Sequence, residues 1–190
     1  MVTFGKLMRA FHRIKCLVVS RTMDLLPLYY TFHVQKRTRF AESFSASKLR
    51  YEVHRRLCKS MGKNVIIKQG VFIKEPQNIE IGSNVSIQEY CLLSGYGGLK
   101  IGNHVSIAAG TYVFTSSHPY SDKSINFRDG TLEKRPVVIG SNVWIGAGCR
   151  ILGELAIGDN VIIGAGSVVT KDLPSNGVYA GVPATQIKEL

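Results

Sequence analysis

From Ile67 onward an aliphatic residue returns every six positions, and Gly often follows it. Ile81-Gly82-Ser83-Asn84-Val85 runs on to Ile87, and Ile101-Gly102-Asn103-His104-Val105 runs on to Ile107 and Val113. After a break, Ile139-Gly140-Ser141-Asn142-Val143 leads through Ile145, Ile151, Ile157 and Ile163 to Val169 without slipping. A second apolar or small residue stands four places after most of these, as at Val85, Cys91, Val105, Thr111, Val143, Cys149, Leu155, Val161 and Ser167. A period of six suits neither a helix, at about 3.6, nor a two-faced strand, at about 2. It suits a chain that makes a short strand, turns and repeats, so that three strands close a triangular coil and successive coils stack roughly 4.8 Å apart. One aliphatic side chain per strand then points into the prism, and a Gly beside it fits the tight corner. There is room for about five coils, a stack of roughly 24 Å. The steps from Ile73 to Ile81 and from Leu93 to Ile101 are eight residues, which places two extra residues in those corners.

The pattern fails from Pro119 to Pro136, eighteen residues that include Arg128, Asp129, Glu133, Lys134 and Arg135. A long excursion inside a regular solenoid interrupts strand pairing on both sides and is usually functional. It should project outward over a neighbour. His118 stands where coil becomes loop, held by stacked strands, and imidazole is the side chain best suited to take a proton near neutral pH. His104 is the contrast: it occupies the fourth place of a regular hexad, outward and solvated, which reads as structural. Only these two His lie in the repeat, so a three-His zinc site is not available there. Gly146-Ala147-Gly148 and Gly164-Ala165-Gly166 do not continue as a dinucleotide-binding fingerprint and read as corners of the prism.

Together with the repeat, the segments Ser116-Ser117-His118-Pro119, Val143-Trp144-Ile145-Gly146, Val169-Thr170-Lys171-Asp172 and Gly181-Val182-Pro183-Ala184 resemble the hexapeptide-repeat acyltransferases, from about residue 64 to the end. The similarity is greatest to the O-acetyltransferases of bacterial sugars and surface polysaccharides. The resemblance implies a mainly β fold, a left-handed parallel β-helix, assembled as a homotrimer with acyl-donor grooves between neighbouring prisms. It implies acetyl-CoA as co-substrate, without a metal, and puts the catalytic base on His118. On the donor side it carries over Ala147 as a backbone N–H facing the thioester, Trp144 beside the donor site, and Ala165 against the pantetheine arm. Thr170 and Lys171 fall near the phosphates, with Thr185 and Lys188 in the tail; Thr185 departs from the basic residue common at its position. On the acceptor side, Gln88 stands where sugar acetyltransferases have Asn, and Tyr96 replaces an acidic residue in the next corner. The acceptor implied is therefore a saccharide other than the small free sugars.

Charge divides the chain. Lys plus Arg number 24 against 13 Asp plus Glu, and residues 1–63 alone hold 14 basic residues against Asp24, Glu42 and Glu52. Residues 64–190 are balanced, so a boundary is expected near Lys63 between a basic, mainly helical segment (1–63) and a β-helix domain (64–190) with a projecting loop (119–136) and a tail (174–190). Phe4, Leu7, Met8, Phe11, Ile14 and Val18 keep helical spacing opposite Lys6, Arg9 and Arg13, and a second basic helix is expected over 45–61. Two readings of the segment stay open: helices packed on the prism with a solvated basic face, or a peripheral anchor through residues 1–20 at the inner face of the cytoplasmic membrane. Nucleic acid is disfavoured because no binding module is present. Cys16, Cys58, Cys91 and Cys149 lie far apart with no CxxC pair, and no run of 18 apolar residues occurs, which reads as a cytoplasmic protein. The expected activity is transfer of acetyl to a hydroxyl of a saccharide, with a lipid-linked saccharide among the candidate acceptors, in surface-polysaccharide synthesis. The alternatives are a small soluble acceptor, such as an antibiotic or a nucleotide-linked amino sugar, and a non-catalytic scaffold.

Overall fold

A computed structural model describes residues 44–119 and 126–190. Helix α1 (Phe44–Leu57) leads into five three-strand coils. They are β1 (Ser60–Met61), β2 (Ile66–Ile67), β3 (Phe72–Lys74); β4 (Ile79–Ile81), β5 (Ser86–Ile87), β6 (Leu92–Ser94); and β7 (Leu99–Ile101), β8 (Ser106–Ile107), β9 (Tyr112–Phe114). After the excursion, which carries β10 (Ser116–Ser117) and β11 (Glu133–Lys134), come β12 (Val137–Ile139), β13 (Val143–Ile145), β14 (Arg150–Leu152), then β15 (Leu155–Ile157), β16 (Val161–Ile163), β17 (Val168–Val169). The tail forms β18 (Gly177–Gly181) and β19 (Ala184–Glu189).

Three sheets make the faces. Face A is β1-β4-β7-β12-β15, face B is β2-β5-β8-β13-β16-β18-β19, and face C is β3-β6-β9-β14-β17. All pairs along each face are parallel and in register except the final antiparallel β18–β19 pair. Ile67, Ile87, Ile107, Ile145 and Ile163 stack in one fully buried column down face B. Burying each contributes about 1.5–3 kcal/mol, which lets strands of two or three residues hold. Two positions per face point inward, not one: Val85 and Ile87, or Cys91 and Leu93, are all buried. The second, smaller residues of the pattern are therefore core as well.

The corner from face A to face B explains the Gly-Ser-Asn signature. A Cβ on Gly82 would come within 2.5 Å of Gly102 O in the next coil, so the first place must be bare. The third place is left-handed, with φ between 55° and 61° at Asn64, Asn84, His104, Asn142, Asn160 and Asn176. Asn is the residue that tolerates this region best after Gly. Its amides also chain from coil to coil, Asn142 Nδ2 donating to Asn160 Oδ1 and Asn160 Nδ2 to Asn176 Oδ1, both at 2.9 Å. His104 sits in this ladder, its Nε2 3.4 Å from Asn84 Nδ2. It is structural, as its hexad position suggested.

Both ends of the prism are closed. Helix α1 lies against the first coil, with Ala46 and Val53 buried and Cys58 buried just after its end. Arg50 and His54 also turn inward: Arg50 Nε donates to Ile67 O at 2.7 Å and His54 Nδ1 donates to Arg50 O at 2.8 Å. Lys48, Arg55 and Arg56 face solvent, so over 44–57 the segment is a helix packed on the prism with an exposed basic edge. The helix stops at Leu57, short of the expected 61, because β1 already pairs with β4 at Ser60 and Met61, ahead of Lys63. The amphipathic stretch 1–20 lies outside the described residues. At the other end Tyr179 occupies the inward column in register with Ile163, and its hydroxyl donates to Pro174 O at 2.7 Å.

Candidate functional site

The excursion is rooted on Thr115, which is fully buried. Its Oγ1 donates to Ser94 O at 3.0 Å and accepts from the Gly97 N–H at 3.0 Å, while its carbonyl accepts the Arg135 N–H at 2.9 Å. Strands β10 and β11 then pair antiparallel, Ser116 with Lys134 and Ser117 with Glu133, and the chain between them turns at 127–129. Arg135 joins Glu133 on this hairpin to Glu154 in the coil above. His118 follows Ser117 directly. Its side chain is exposed, and its ring has no hydrogen-bond partner among the described residues. An imidazole whose ring nitrogens have no described partner, on a braced strand end, is open to a group arriving from solvent.

The corners from face B to face C form a second feature. In the third, fourth and fifth coils they read Ala108-Ala109-Gly110, Gly146-Ala147-Gly148 and Gly164-Ala165-Gly166. Their first and third N–H groups bond to the neighbouring coils, as Gly146 N to Ile163 O and Gly148 N to Ala109 O. The middle N–H of Ala109, Ala147 and Ala165 has no partner among the described residues. These donors repeat at the coil spacing along a strip bare of side chains, which is suited to an extended ligand carrying carbonyl or oxyanion groups. Beside it on face B, Trp144 points outward and is 56% exposed, with Ser106 and Ile162 as its strand neighbours. It is not a core aromatic.

The other expected positions distribute around the prism. Thr170 and Lys171 are exposed at the corner from C to A above β17. Thr185 and Lys188 lie exposed on β19, Lys188 opposite Val178 in the outward column of Trp144 and Ile162. Gln88 lies in the B-to-C corner of the second coil, half-buried. Tyr96 lies in the C-to-A corner below the excursion, where its hydroxyl reaches Leu132 O at 3.4 Å and braces the returning arm. Within one chain His118 and Tyr96 therefore share one corner column, and Gln88, Ala147 and Ala165 another, a face width of roughly 15–20 Å away. Sequence reading gave no role to Thr115, took Arg135 only as one of the loop's charges, and named Gln88 but not Tyr90 in its corner, where a Tyr replaces the Gly found at 70, 110, 148 and 166. That substitution was the available signal.

Cys58, Cys91 and Cys149 are buried; burial pushes Cys58 up to about 12 and Cys91 to about 11, so both remain protonated. Among the described residues no group of three or more His, Cys, Asp or Glu is arranged to hold a metal ion, and no helix is long and apolar enough to cross a membrane.

Residues 136–171 match the family model described as bacterial transferase hexapeptide (six repeats). The solved structure of a galactoside acetyltransferase in complex with coenzyme A superposes with a TM-score of 0.74 at 30% identity, over 84% of this chain and 78% of that one. The chain belongs to the hexapeptide-repeat acetyltransferases. Its solenoid is the left-handed parallel β-helix of that family. The galactoside O-acetyltransferase of Escherichia coli (strain K12) is 34% identical over 131 residues, 69% of this chain and 64% of that protein. An acetyltransferase of the same organism, named WcaF and assigned provisionally to colanic acid biosynthesis, is 33% identical over 129 residues, 68% of each chain.

Proposed function

We propose that this hexapeptide-repeat acetyltransferase moves acetyl from acetyl-CoA to a hydroxyl of a saccharide, with His118 as general base. The observation that carries the reading is the exposed, unpartnered imidazole on the braced strand end of the excursion. The acceptor oxygen attacks the thioester carbon as His118 takes its proton. The Ala147 N–H holds the resulting oxyanion. Collapse breaks the C–S bond, and the imidazolium returns its proton to the departing thiolate, which leaves the acetyl ester and free CoA. No acyl-enzyme forms. Ala165 flanks the pantetheine arm, Trp144 closes the groove, and Lys171 and Lys188 with Thr170 and Thr185 face the phosphates. The two corner columns stand a face width apart within one chain, which supports a site completed by a neighbouring copy, in the homotrimer that the family resemblance implies. The Escherichia coli relative assigned to colanic acid biosynthesis supports a surface-polysaccharide acceptor. The net charge of +11 on residues 1–63 supports peripheral contact with an anionic membrane, where a lipid-linked saccharide would be met.

The test is CoA release over a panel of glycosides with His118→Ala and His118→Asn. Both should lower kcat by about 10²–10⁴-fold, equivalent to about 3–5 kcal/mol of barrier, since neither side chain can usefully accept the proton. Melting temperature and acetyl-CoA affinity should not move, because the ring bonds to nothing in the described fold. Retention of more than about a tenth of parent kcat by the alanine variant would remove His118 as the base. An amine acceptor, which attacks unaided once neutral, would then be the better reading.

A further inference from the structure

The B-to-C corner of the second coil departs from the others at its third place. The third place of this corner is left-handed in all five coils, and four coils fill it with Gly: Gly70, Gly110, Gly148 and Gly166. The second coil has Tyr90, at φ 58°, in a region that bulky side chains avoid. Such an outlier persists only where the surroundings fix it, and it points to use. The surroundings do fix it. A Cβ on Gly70 would come within 2.4 Å of Tyr90 Cδ1, so the ring is seated against the bare corner below it. Even so, Tyr90 remains 55% exposed.

Beside the ring stand Gln88 and Glu89, both half-buried. Their backbones are held, Gln88 N–H by Ile107 O and Glu89 O by the Gly110 N–H, each at 2.9 Å. The Gln88 amide, the Glu89 carboxylate and the Tyr90 hydroxyl have no hydrogen-bond partner among the described residues. An aromatic face flanked by an unspent amide and carboxylate matches the two-sided chemistry of a pyranose. Its axial C–H groups make an apolar face for the ring, and its equatorial hydroxyls supply donors and acceptors for planar polar groups. The next three corners of the column are Ala and Gly only, which leaves the polar contacts of the strip to this end.

We infer that Tyr90 is the stacking platform for the acceptor saccharide, with Glu89 accepting and Gln88 exchanging hydrogen bonds with its hydroxyls. This rests on the saccharide acceptor proposed above and adds to it the residues that select the ring. It makes the second coil the specificity end of the column and the bare coils the donor end.

The experiment uses the full chain and its Tyr90→Gly, Tyr90→Phe and Glu89→Gln variants. The probes are methyl glycosides of galactose, glucose, fucose, rhamnose and N-acetylglucosamine, together with maltose. Saturation-transfer NMR reads binding, CoA release reads turnover, and light scattering reads mass. Tyr90→Gly restores the residue that suits the backbone, so it should fold with no loss of melting temperature. It should weaken binding and raise the acceptor KM roughly three- to tenfold, with the KM for acetyl-CoA unchanged. Tyr90→Phe should keep both, because stacking needs the ring and not the hydroxyl. Equal saccharide affinity in parent and Tyr90→Gly would overturn the platform, as would dissociation of the assembly, which would make Tyr90 an interface residue. If no glycoside binds the parent, the platform falls. Binding that depends on Tyr90 without acetyl transfer would instead sustain the platform and remove the proposed reaction.

Discussion

Gly146→Ala and Gly164→Ala place the same methyl group at the same corner of adjacent coils, and the structure assigns them different costs. On Gly146 the new Cβ would stand 2.5 Å from Ala165 N and 2.8 Å from both Ala165 Cα and Ile163 O, all backbone atoms of the coil above. Ordinary contact requires the two corners to part by about 0.6–0.9 Å, which exceeds the tolerance of an N–H···O bond. The bonds at risk are Gly146 N to Ile163 O and Gly166 N to Ala147 O, both 2.8 Å. Two such bonds at about 1 kcal/mol each, with overpacking of about 1–3 kcal/mol, give a loss of about 3–5 kcal/mol. For a chain of this length that lowers Tm by about 6–20 °C. On Gly164 the nearest atom is Ala180 Cβ at 3.0 Å and the next is Tyr179 O at 3.6 Å, so a small shift of one methyl suffices and the cost should stay within about 1 kcal/mol. Thermal melts at one fixed protein concentration compare the two variants, and calorimetric titration of acetyl-CoA shows whether parting the corners disturbs the row of free N–H groups. Gly146→Ala should bind the donor more weakly, and Gly164→Ala should bind it nearly as the parent does. If the two melted together, or Gly164→Ala were the less stable, close coil stacking would not be what excludes a side chain here.

Lys171→Ala should raise the KM for acetyl-CoA more than it lowers kcat, because a phosphate contact made equally in ground and transition states is uniform binding; steady-state kinetics with varied donor decide, and a neutral result moves the phosphates elsewhere. His54 is held below the ordinary imidazole range, first by burial and then by the Arg50 charge, against the raising effect of its bond to Arg50 O. The unfolded chain therefore binds a proton below about pH 6.5 that the folded chain refuses, so stability falls with acidity in that window by up to about 1.4 kcal/mol per pH unit, and urea titrations should show a flatter slope for His54→Leu. Removal of residues 1–20 should release the protein from vesicles of anionic lipid, and added salt should do the same to the full chain; if the full chain floats free of such vesicles at low salt, the anchor does not exist.

The solenoid was legible because its determinants are local and periodic. Ile67, Ile87, Ile107, Ile145 and Ile163 announce a column through spacing alone, and the eight-residue steps after Ile73 and Leu93 announce wider corners, one of which holds the short turn Pro76–Asn78. The excursion and His118 at its root were legible as a failure of that period. What stayed hidden depends on contacts between coils. Nothing in the spacing says that Thr115 would be the buried anchor of the loop, or that Arg135 would reach Glu154 nineteen residues on. Arg50 and His54 read as part of a basic helical face, yet both point into the end of the prism, because the open first coil offers the Ile67 carbonyl as a partner. Tyr96, carried to the acceptor side by resemblance, also reaches the returning arm of the loop through its hydroxyl, a contact that spacing does not announce.

A solenoid of this kind separates what repetition can encode from what it cannot. Repetition supplies equal spacing: corner after corner presents a middle N–H at the strand separation, at Ala109, Ala147 and Ala165, and only small side chains leave those groups open. A ligand common to a whole family can be bound this way with no dedicated side chain, because the backbone does not change when the sequence drifts. Discrimination between acceptors needs side chains that break the repeat, and each break has a structural cost, as a Tyr in a left-handed corner or eighteen residues without strand pairing. The departures from the hexad are thus the places to look for the acceptor, and the faithful hexads the places to look for the donor. In this chain the two largest departures are Tyr90 and the excursion ending at Pro136, in the second and third coils, and the bare corners run from Ala109 upward.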